Sequence, residues 1–357
     1  MVWNEPLNNS NLMFLGLFNI IKVDLSKFSS SNILSMQSMF NSCANLSSIN
    51  FTNFDTSLVT DMSSMFKDCK ALTSVDLSSF NTISVIDLSD MFNGCTHLNS
   101  IDISNFYTPN LKYLGRFFSS CNSLKYINIT NLNTSSVLFM DSMFKDCKSL
   151  ESLDVSNFRT PYLTDTNTMF KGCIKLKSLN LSNFDTSKVI EMNSMFSSCD
   201  ELTQLDISGF NTSSAMSMKF MFNACKNLEN IDLSNLDASF VTEMQYMFND
   251  CISLKSLNLT NFTTSNIINM SNMFHNCELL TSIELSSFNT TPIQVMDNMF
   301  SGCSSLISID LSNFNTPSLI GIGSIFYNCF SLKYVNLSNF NTSSILSLME
   351  LYLNFLS

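Results

Sequence analysis

The sequence predicts an α/β repeat fold, a right-handed solenoid with a parallel β-sheet on its concave face and short helical turns on its convex face. Three observations predict it. Twelve cysteines, from Cys43 through Cys69 and Cys95 to Cys329, follow one another at a constant interval of 26 residues. Within each interval, aliphatic and polar residues alternate over a few positions. Beyond that stretch, apolar residues recur at steps of three and four. A fixed period of this length, kept without insertion or deletion, is the signature of stacked repeats.

With each cysteine as position 0, leucine occupies +3 in every cysteine-bearing unit, from Leu46 to Leu332. Positions +6 and +8 are aliphatic almost throughout, as in Val75 and Leu77 or Ile231 and Leu233, with an acid or amide between them. Period two marks a short strand near +5 to +9 with one buried face. An aromatic follows at +11 (Phe54, Phe80, Phe106), and then [DN]-T-S, whose oxygens suit the start of a helix. Threonine holds +13 in eleven of thirteen units, Ser30 and Ala238 being the departures. Helix capping is the expected reason, and a regular threonine row of the ice-binding kind is the alternative by analogy.

From there the apolar positions run +16, +19, +22, +23, +26 and +29, as in Val189, Met192, Met195, Phe196, Cys199 and Leu202. This spacing predicts one face of a short helix or helical turn. Nineteen of the 22 methionines fall at +19 or +22 and 24 of the 32 phenylalanines at +11 or +23, so both are expected to fill the core. One unit buries too little to offset its backbone entropy, and stacking shares each apolar face between neighbours. Strands repeat at about 4.8 Å and packed helices at about 8–10 Å, a mismatch that bends the stack toward its strands.

The composition is uniform along the 357 residues, 45% hydrophobic and 13% charged, which predicts one solenoid over 1–357. It comprises thirteen units over 17–354 and a half unit over 1–16, marked by Met13 and Phe14. A formal net charge of −11 speaks against a nucleic-acid surface. The apolar run 12–21 is about half a membrane span, is broken by Asn19 and falls in the repeat phase, so it reads as core. No segment reaches transmembrane length, and no export signal or anchor is visible.

The pattern MFxxCxxLxSIDLSNFDTSxVxxM resembles the BspA-like leucine-rich-repeat surface proteins, a repeat family of bacteria, wall-less ones included, and of some parasitic protists. The match covers essentially the whole chain. The resemblance implies a leucine-rich-repeat-like solenoid at the cell surface or secreted, adhesive rather than enzymatic, with a host, matrix or cell-surface protein as partner and no membrane insertion.

The outward strand position, +7, is acid or amide in every unit while its surroundings drift. Asp76, Asp102, Asp154, Asp206, Asp232, Glu284 and Asp310 are therefore the candidate partner-binding residues, on the concave face where solenoids usually bind. Asparagines interrupt the row so that no more than two acids are adjacent, which limits repulsion. A hydrogen-bonded side-chain ladder or recent duplication would explain the row equally, and a cation such as Ca²⁺ could also use it. Cys69, Cys95, Cys121, Cys147, Cys173, Cys199, Cys225, Cys251, Cys277 and Cys303 are expected to form a core ladder of thiols. Helical packing would hold them about 8–10 Å apart, beyond the reach of a disulfide.

No metal site is expected: C-x-x-C is absent, and His97 and His275 occupy different repeat phases. Eleven of the eighteen Lys and Arg, such as Lys67, Lys70, Lys145 and Lys148, lie between +24 and +4 and should form a solvated basic edge. The sequons at Asn128, Asn180, Asn258 and Asn336 read as by-products of the repeat. Catalysis would need a local departure, a nucleophile beside a base, and none is present, so neither enzyme activity nor a cofactor is expected. Two further readings remain open: an intracellular scaffold, since unpaired thiols fit a reducing compartment, and a self-assembling structural repeat.

Overall fold

The computed structural model describes residues 8–259 and 261–341, with Ser343 and Ile345. The chain divides into two compact units, Met1–Asp185 and Thr186–Ser357. The outermost parts of the expected half unit 1–16 and of the last unit lie outside the described residues.

Each unit is a parallel β-solenoid, and together they carry about twelve turns. The first contains β1 (Lys22–Asp24), β2 (Ser48–Asn50), β3 (Ser100–Asp102), β4 (Tyr126–Asn128) and β5 (Ser178–Asn180). The second contains β6 (Gln204–Asp206), β7 (Asn230–Asp232), β8 (Ser256–Asn258), β9 (Ser308–Asp310) and β10 (Tyr334–Asn336). The pairs β1/β2, β3/β4, β7/β8 and β9/β10 are parallel, and each residue faces its repeat equivalent, as Ser100 faces Tyr126. The strands occupy +5 to +7, shorter than the alternation predicts, and the equivalent segments 74–76, 152–154 and 282–284 form no strand.

The expected helical turns are not there: no helix occurs among the described residues. The turn closed by Cys95 shows what replaces them. Leu88, Asp90, Phe92 and Gly94 donate their amides to Tyr113, Gly115, Phe117 and Ser119 of the next turn, at 2.8–3.0 Å. The residues between them close tight turns within the layer: Met91 donates to Leu88, Asn93 to Asp90 and Cys95 to Phe92. Two residues per turn, here Asp90 and Gly94, have φ of +60° and +78°, which no α-helix tolerates. Apolar residues at steps of three and four thus point inward from consecutive tight turns. A helix would satisfy its amides locally and push neighbouring layers apart. Tight turns leave every second amide free for the next layer and hold it at strand spacing.

The phenylalanine three residues before each cysteine records that spacing. In the first unit the rings from Phe14 through Phe40, Phe66, Phe92, Phe118 and Phe144 to Phe170 stack with centroids 5.0–6.0 Å apart. The turn side therefore repeats at about the strand interval of 4.8 Å. The difference in spacing from which a concave strand face was expected does not arise in either unit. A further ladder of parallel bridges runs along +18, through Ser35, Asp61, Asp87 and Tyr113 in the first unit and Ser217, Glu243 and Asn269 in the second.

The core is a pile of equivalent layers. Val85, Leu88, Met91, Phe92, Cys95, Leu98, Ile103 and Phe106 are all buried in one of them. The residue before each cysteine is left-handed: Gly172 adopts it at φ +75°, where an added Cβ would lie 2.5 Å from Asp146 Oδ1, and Asp68, Ser120, Asp146 and Ser198 adopt it elsewhere.

Threonine at +13 caps no helix. Thr212 is buried, its Oγ1 donates to the Asp237 carbonyl at 2.8 Å and accepts from the Asp237 amide at 2.8 Å. Thr56, Thr108, Thr134 and Thr160 clamp the following turn in the same way. A buried row cannot present itself to ice. Thr212→Val keeps the shape and strips both partners from the Asp237 backbone, so a loss of about 2–4 kcal/mol is expected, against under about 1 for Thr212→Ser. Urea denaturation of the two variants measures the difference.

Candidate functional site

The +7 row follows from the strand geometry: with +6 and +8 turned inward, +7 faces solvent. Asp76, Asp102, Asp154, Asp232, Glu284 and Asp310 are exposed and Asp206 is half-buried. Asp102, Asp206, Asp232 and Asp310 end strands β3, β6, β7 and β9, whereas Asp76, Asp154 and Glu284 stand on the segments that form none.

Each carboxylate has a local task. Asp76 Oδ1 accepts the Ser78 amide at 2.9 Å, and the same bond recurs from Ser104 to Asp102, Ser156 to Asp154, Ser208 to Asp206, Ser234 to Asp232 and Ser312 to Asp310. Glu284 accepts from Ser286 through Oε1. Where asparagine stands at +7, as at Asn50 and Asn180, its Oδ1 does the same. A side-chain oxygen two residues before an amide closes an Asx turn, which ends the strand and starts the loop. That duty explains why +7 alternates only between Asp and Asn, with a single Glu. The serine side chain adds a bond to the same carboxylate, and the next turn's Asn128, Asn258 and Asn336 add another to Asp102, Asp232 and Asp310, a side-chain ladder along the row.

The same bonds keep the aspartates of the row ionised. Hydrogen bonds from the serine two residues on, its side chain foremost, hold Asp76, Asp154, Asp206 and Asp310 below the ordinary aspartate range. For Asp102 and Asp232 the serine backbone bond is the larger cause. Among the described residues no group of three His, Cys, Asp or Glu side chains could hold a metal ion, so Ca²⁺ finds no preformed cage on the row.

Three open depressions lie in the first unit, of about 400, 490 and 420 Å³, and the row borders the first two. Asp102 and Asp154 border the first, and Asp76 and Asp102 the second. Sequence reasoning missed the tyrosines here: Tyr126 borders the first and Tyr107 the third. The signal was available, because +5 is serine at 48, 74, 100, 152 and 178 and tyrosine only at 126 in that stretch.

The cysteines lie on the opposite side of the layer. All twelve are thiols, eleven buried and Cys329 half-buried. Cys69 Sγ donates to the Phe40 carbonyl at 3.1 Å, Cys95 to Phe66, Cys121 to Phe92, Cys147 to Phe118 and Cys173 to Phe144, and the second unit repeats this from Cys225 to Cys329. At strand spacing, distance alone would admit a disulfide. The thiols stay apart because each is aimed at a backbone carbonyl of the preceding turn. Burial pushes them up, to about 12 at Cys173 and Cys251.

Several of the basic residues pair with acids of neighbouring turns. Arg116 reaches Asp90 at 3.1 Å and Asp141 at 2.7 Å, Lys67 reaches Asp90 at 3.1 Å, and Lys255 reaches Glu229 at 2.8 Å. No helix among the described residues is long and apolar enough to cross a membrane.

The chain resembles a leucine-rich repeat protein from Bacteroides ovatus, at 19% identity over 91% of this chain and 80% of the other, with a TM-score of 0.49. It also resembles a leucine-rich cell surface protein from Faecalibacterium prausnitzii, at 18% identity, 89% and 83% coverage and a TM-score of 0.43. A leucine-rich repeat protein from Eubacterium ventriosum matches at 15% identity, 82% and 78% coverage and a TM-score of 0.40. No curated protein matches the chain. The family described as "Mycoplasma protein of unknown function, DUF285" matches over residues 8–126, 100–180, 139–258 and 248–355. With the whole described repeat array under that match, the chain belongs to the DUF285 family of BspA-like repeat proteins.

Proposed function

We propose that the chain is a non-enzymatic recognition solenoid, displayed at the cell surface or secreted, that adheres to a protein partner through its strand face. The observation that supports this most is the +7 row: repeated carboxylates, exposed, kept ionised, and each with one oxygen already fixed by its own turn. Such groups meet a partner without first having to be ordered. The intracellular reading drew on twelve unpaired thiols. Sequestered thiols are as compatible with an oxidising surrounding as with a reducing one, because the reactive species is the thiolate.

The fourfold variant Asp76→Asn, Asp102→Asn, Asp206→Asn and Asp232→Asn tests the reading. Asparagine closes the same turn at Asn50 and Asn180, so the melting temperature should not move. Capture of partners from surface or matrix extracts should fall about tenfold or more, as expected when several exposed charges are removed from one face. Unchanged capture, or capture of cytosolic proteins alone, would refute it.

A further inference from the structure

The strand face of the first unit departs from its own repeat at Tyr126, which opens β4 where serine stands at 48, 74, 100, 152 and 178, with 73% of its surface exposed. Its register partner Ser100 and the following Ser152 are small, so the ring stands clear of its neighbours. The depression beside it shares Ser100 and Asp102 with the next, which shares Ser104 and Asn105 with the third. Tyr107, 57% exposed, borders that last one. A continuous track therefore runs from one exposed tyrosine to another over a floor of hydroxyls, amides and a few carboxylates.

The polar groups of the floor are already oriented. Asn105 Nδ2 donates to the Leu77 and Phe80 carbonyls at 3.0 and 3.1 Å, and Asn131 Nδ2 to the Ser104 carbonyl at 2.6 Å. Both amides are thereby fixed with their side-chain oxygens left to accept. Asp102 is fixed by the Ser104 amide at 2.9 Å.

Charge excludes most other ligands. A nucleotide or phosphopeptide would place its anions against Asp76, Asp102 and Asp154. A strongly cationic segment would meet Lys125 at one end and no carboxylate at the other. An apolar segment would leave the fixed amides and hydroxyls without partners, which costs more than the contact returns. A neutral polyhydroxylated chain meets none of these objections. The C–H face of a pyranose ring covers a tyrosine, and its hydroxyls both donate and accept.

We propose that this track binds a neutral oligosaccharide, with pyranose rings on Tyr126 and Tyr107 and their hydroxyls donating to Asp102, Asn105 and Asn131. The inference goes beyond protein docking and does not rest on it, since the track lies within the first unit and its ligand class is different.

The test is isothermal titration of the full chain with cellohexaose, chitohexaose, mannohexaose and, as the charged comparison, a heparin hexasaccharide. At least one neutral hexasaccharide should bind. Tyr126→Ala and Tyr107→Ala should each weaken it about tenfold, the loss expected for one stacked ring, while Tyr126→Phe and Tyr334→Ala stay within about twofold. Tyr334 is the control because it is likewise exposed at +5, on β10 of the second unit. All the altered side chains are exposed, so folding is not at stake. Affinity should hold between about 0.05 and 0.5 M salt. Binding of none of the three neutral sugars, binding of heparin alone with loss in salt, or affinity unchanged in both alanine variants would overturn the proposal. Partner capture that depends on Asp206 and Asp232, without any sugar binding, would sink this inference and leave protein docking standing.

Discussion

A thiol reagent such as Ellman's is expected to titrate Cys329 slowly in the folded chain and to leave the other eleven cysteines unmodified, whereas guanidinium should expose all twelve. The eleven are buried and Cys329 is half-buried, its thiol pushed up to about 11 by partial burial. Attack requires the thiolate, and each unit by which the pKa rises cuts that fraction about tenfold. With Cys173 and Cys251 pushed up to about 12, the rate at pH 8 should fall about a thousandfold before access is considered.

The same burial sets a pH limit. Unfolded thiols ionise near about pH 8.5 and the folded ones well above it, so the folded state holds protons that the unfolded state has released. Their contribution to stability is complete below that pH and is lost progressively toward about pH 12, the value to which burial pushes Cys173 and Cys251. Circular dichroism across an alkaline titration should show stability falling over that window. Fast modification of several thiols at neutral pH, with native dichroism retained, would mean that the layers open far more readily than their hydrogen bonds imply.

The repeat, its phase and the inward positions were legible because burial writes a pattern into the sequence. Leu98, Ile103 and Phe106 are buried as their spacing required. The turn side was misread because inward steps of three and four arise both from a helix and from successive tight turns. What separates them is backbone sign. Ser38, Ser64, Ser142 and Ser194 all have positive φ, yet serine at such a position looks no different from serine on a helix. Threonine at +13 failed for a related reason: capping and clamping both use a hydroxyl near a backbone amide, and only the partner 25 residues away distinguishes them. The +7 acids lie outward as the alternation required, with Asp206 half-buried. Their Asx-turn duty was hidden because it is made with the chain's own backbone two residues on. The tyrosines of the proposed sugar track were missed because attention to what repeats hides what departs.

Phe144→Ala should be the most damaging single substitution of the first unit's core, at about 3–5 kcal/mol. The ring is fully buried between Phe118, 6.0 Å away, and Phe170, 5.6 Å away. In a globular core, neighbours relax into part of such a cavity. Here they are held in register: the Phe144 amide donates to the Met169 carbonyl at 2.9 Å, and Cys173 Sγ donates to the Phe144 carbonyl at 3.1 Å. The gap therefore stays open and its full cost is felt. Phe144→Leu, which keeps most of the volume, should lose roughly half as much.

A repeat stack is held by nearest-neighbour terms, so the loss should also weaken cooperation between the turns on either side. Guanidinium unfolding is expected to show a lower midpoint and a broader transition, and hydrogen exchange should quicken first at Met143, Phe144 and Met169. A loss under about 1 kcal/mol, with the transition as sharp as before, would show that the ring stack fills space without coupling the layers. In that case the backbone ladders and the threonine clamps would have to carry the coupling, and Thr212→Val would become the more damaging change.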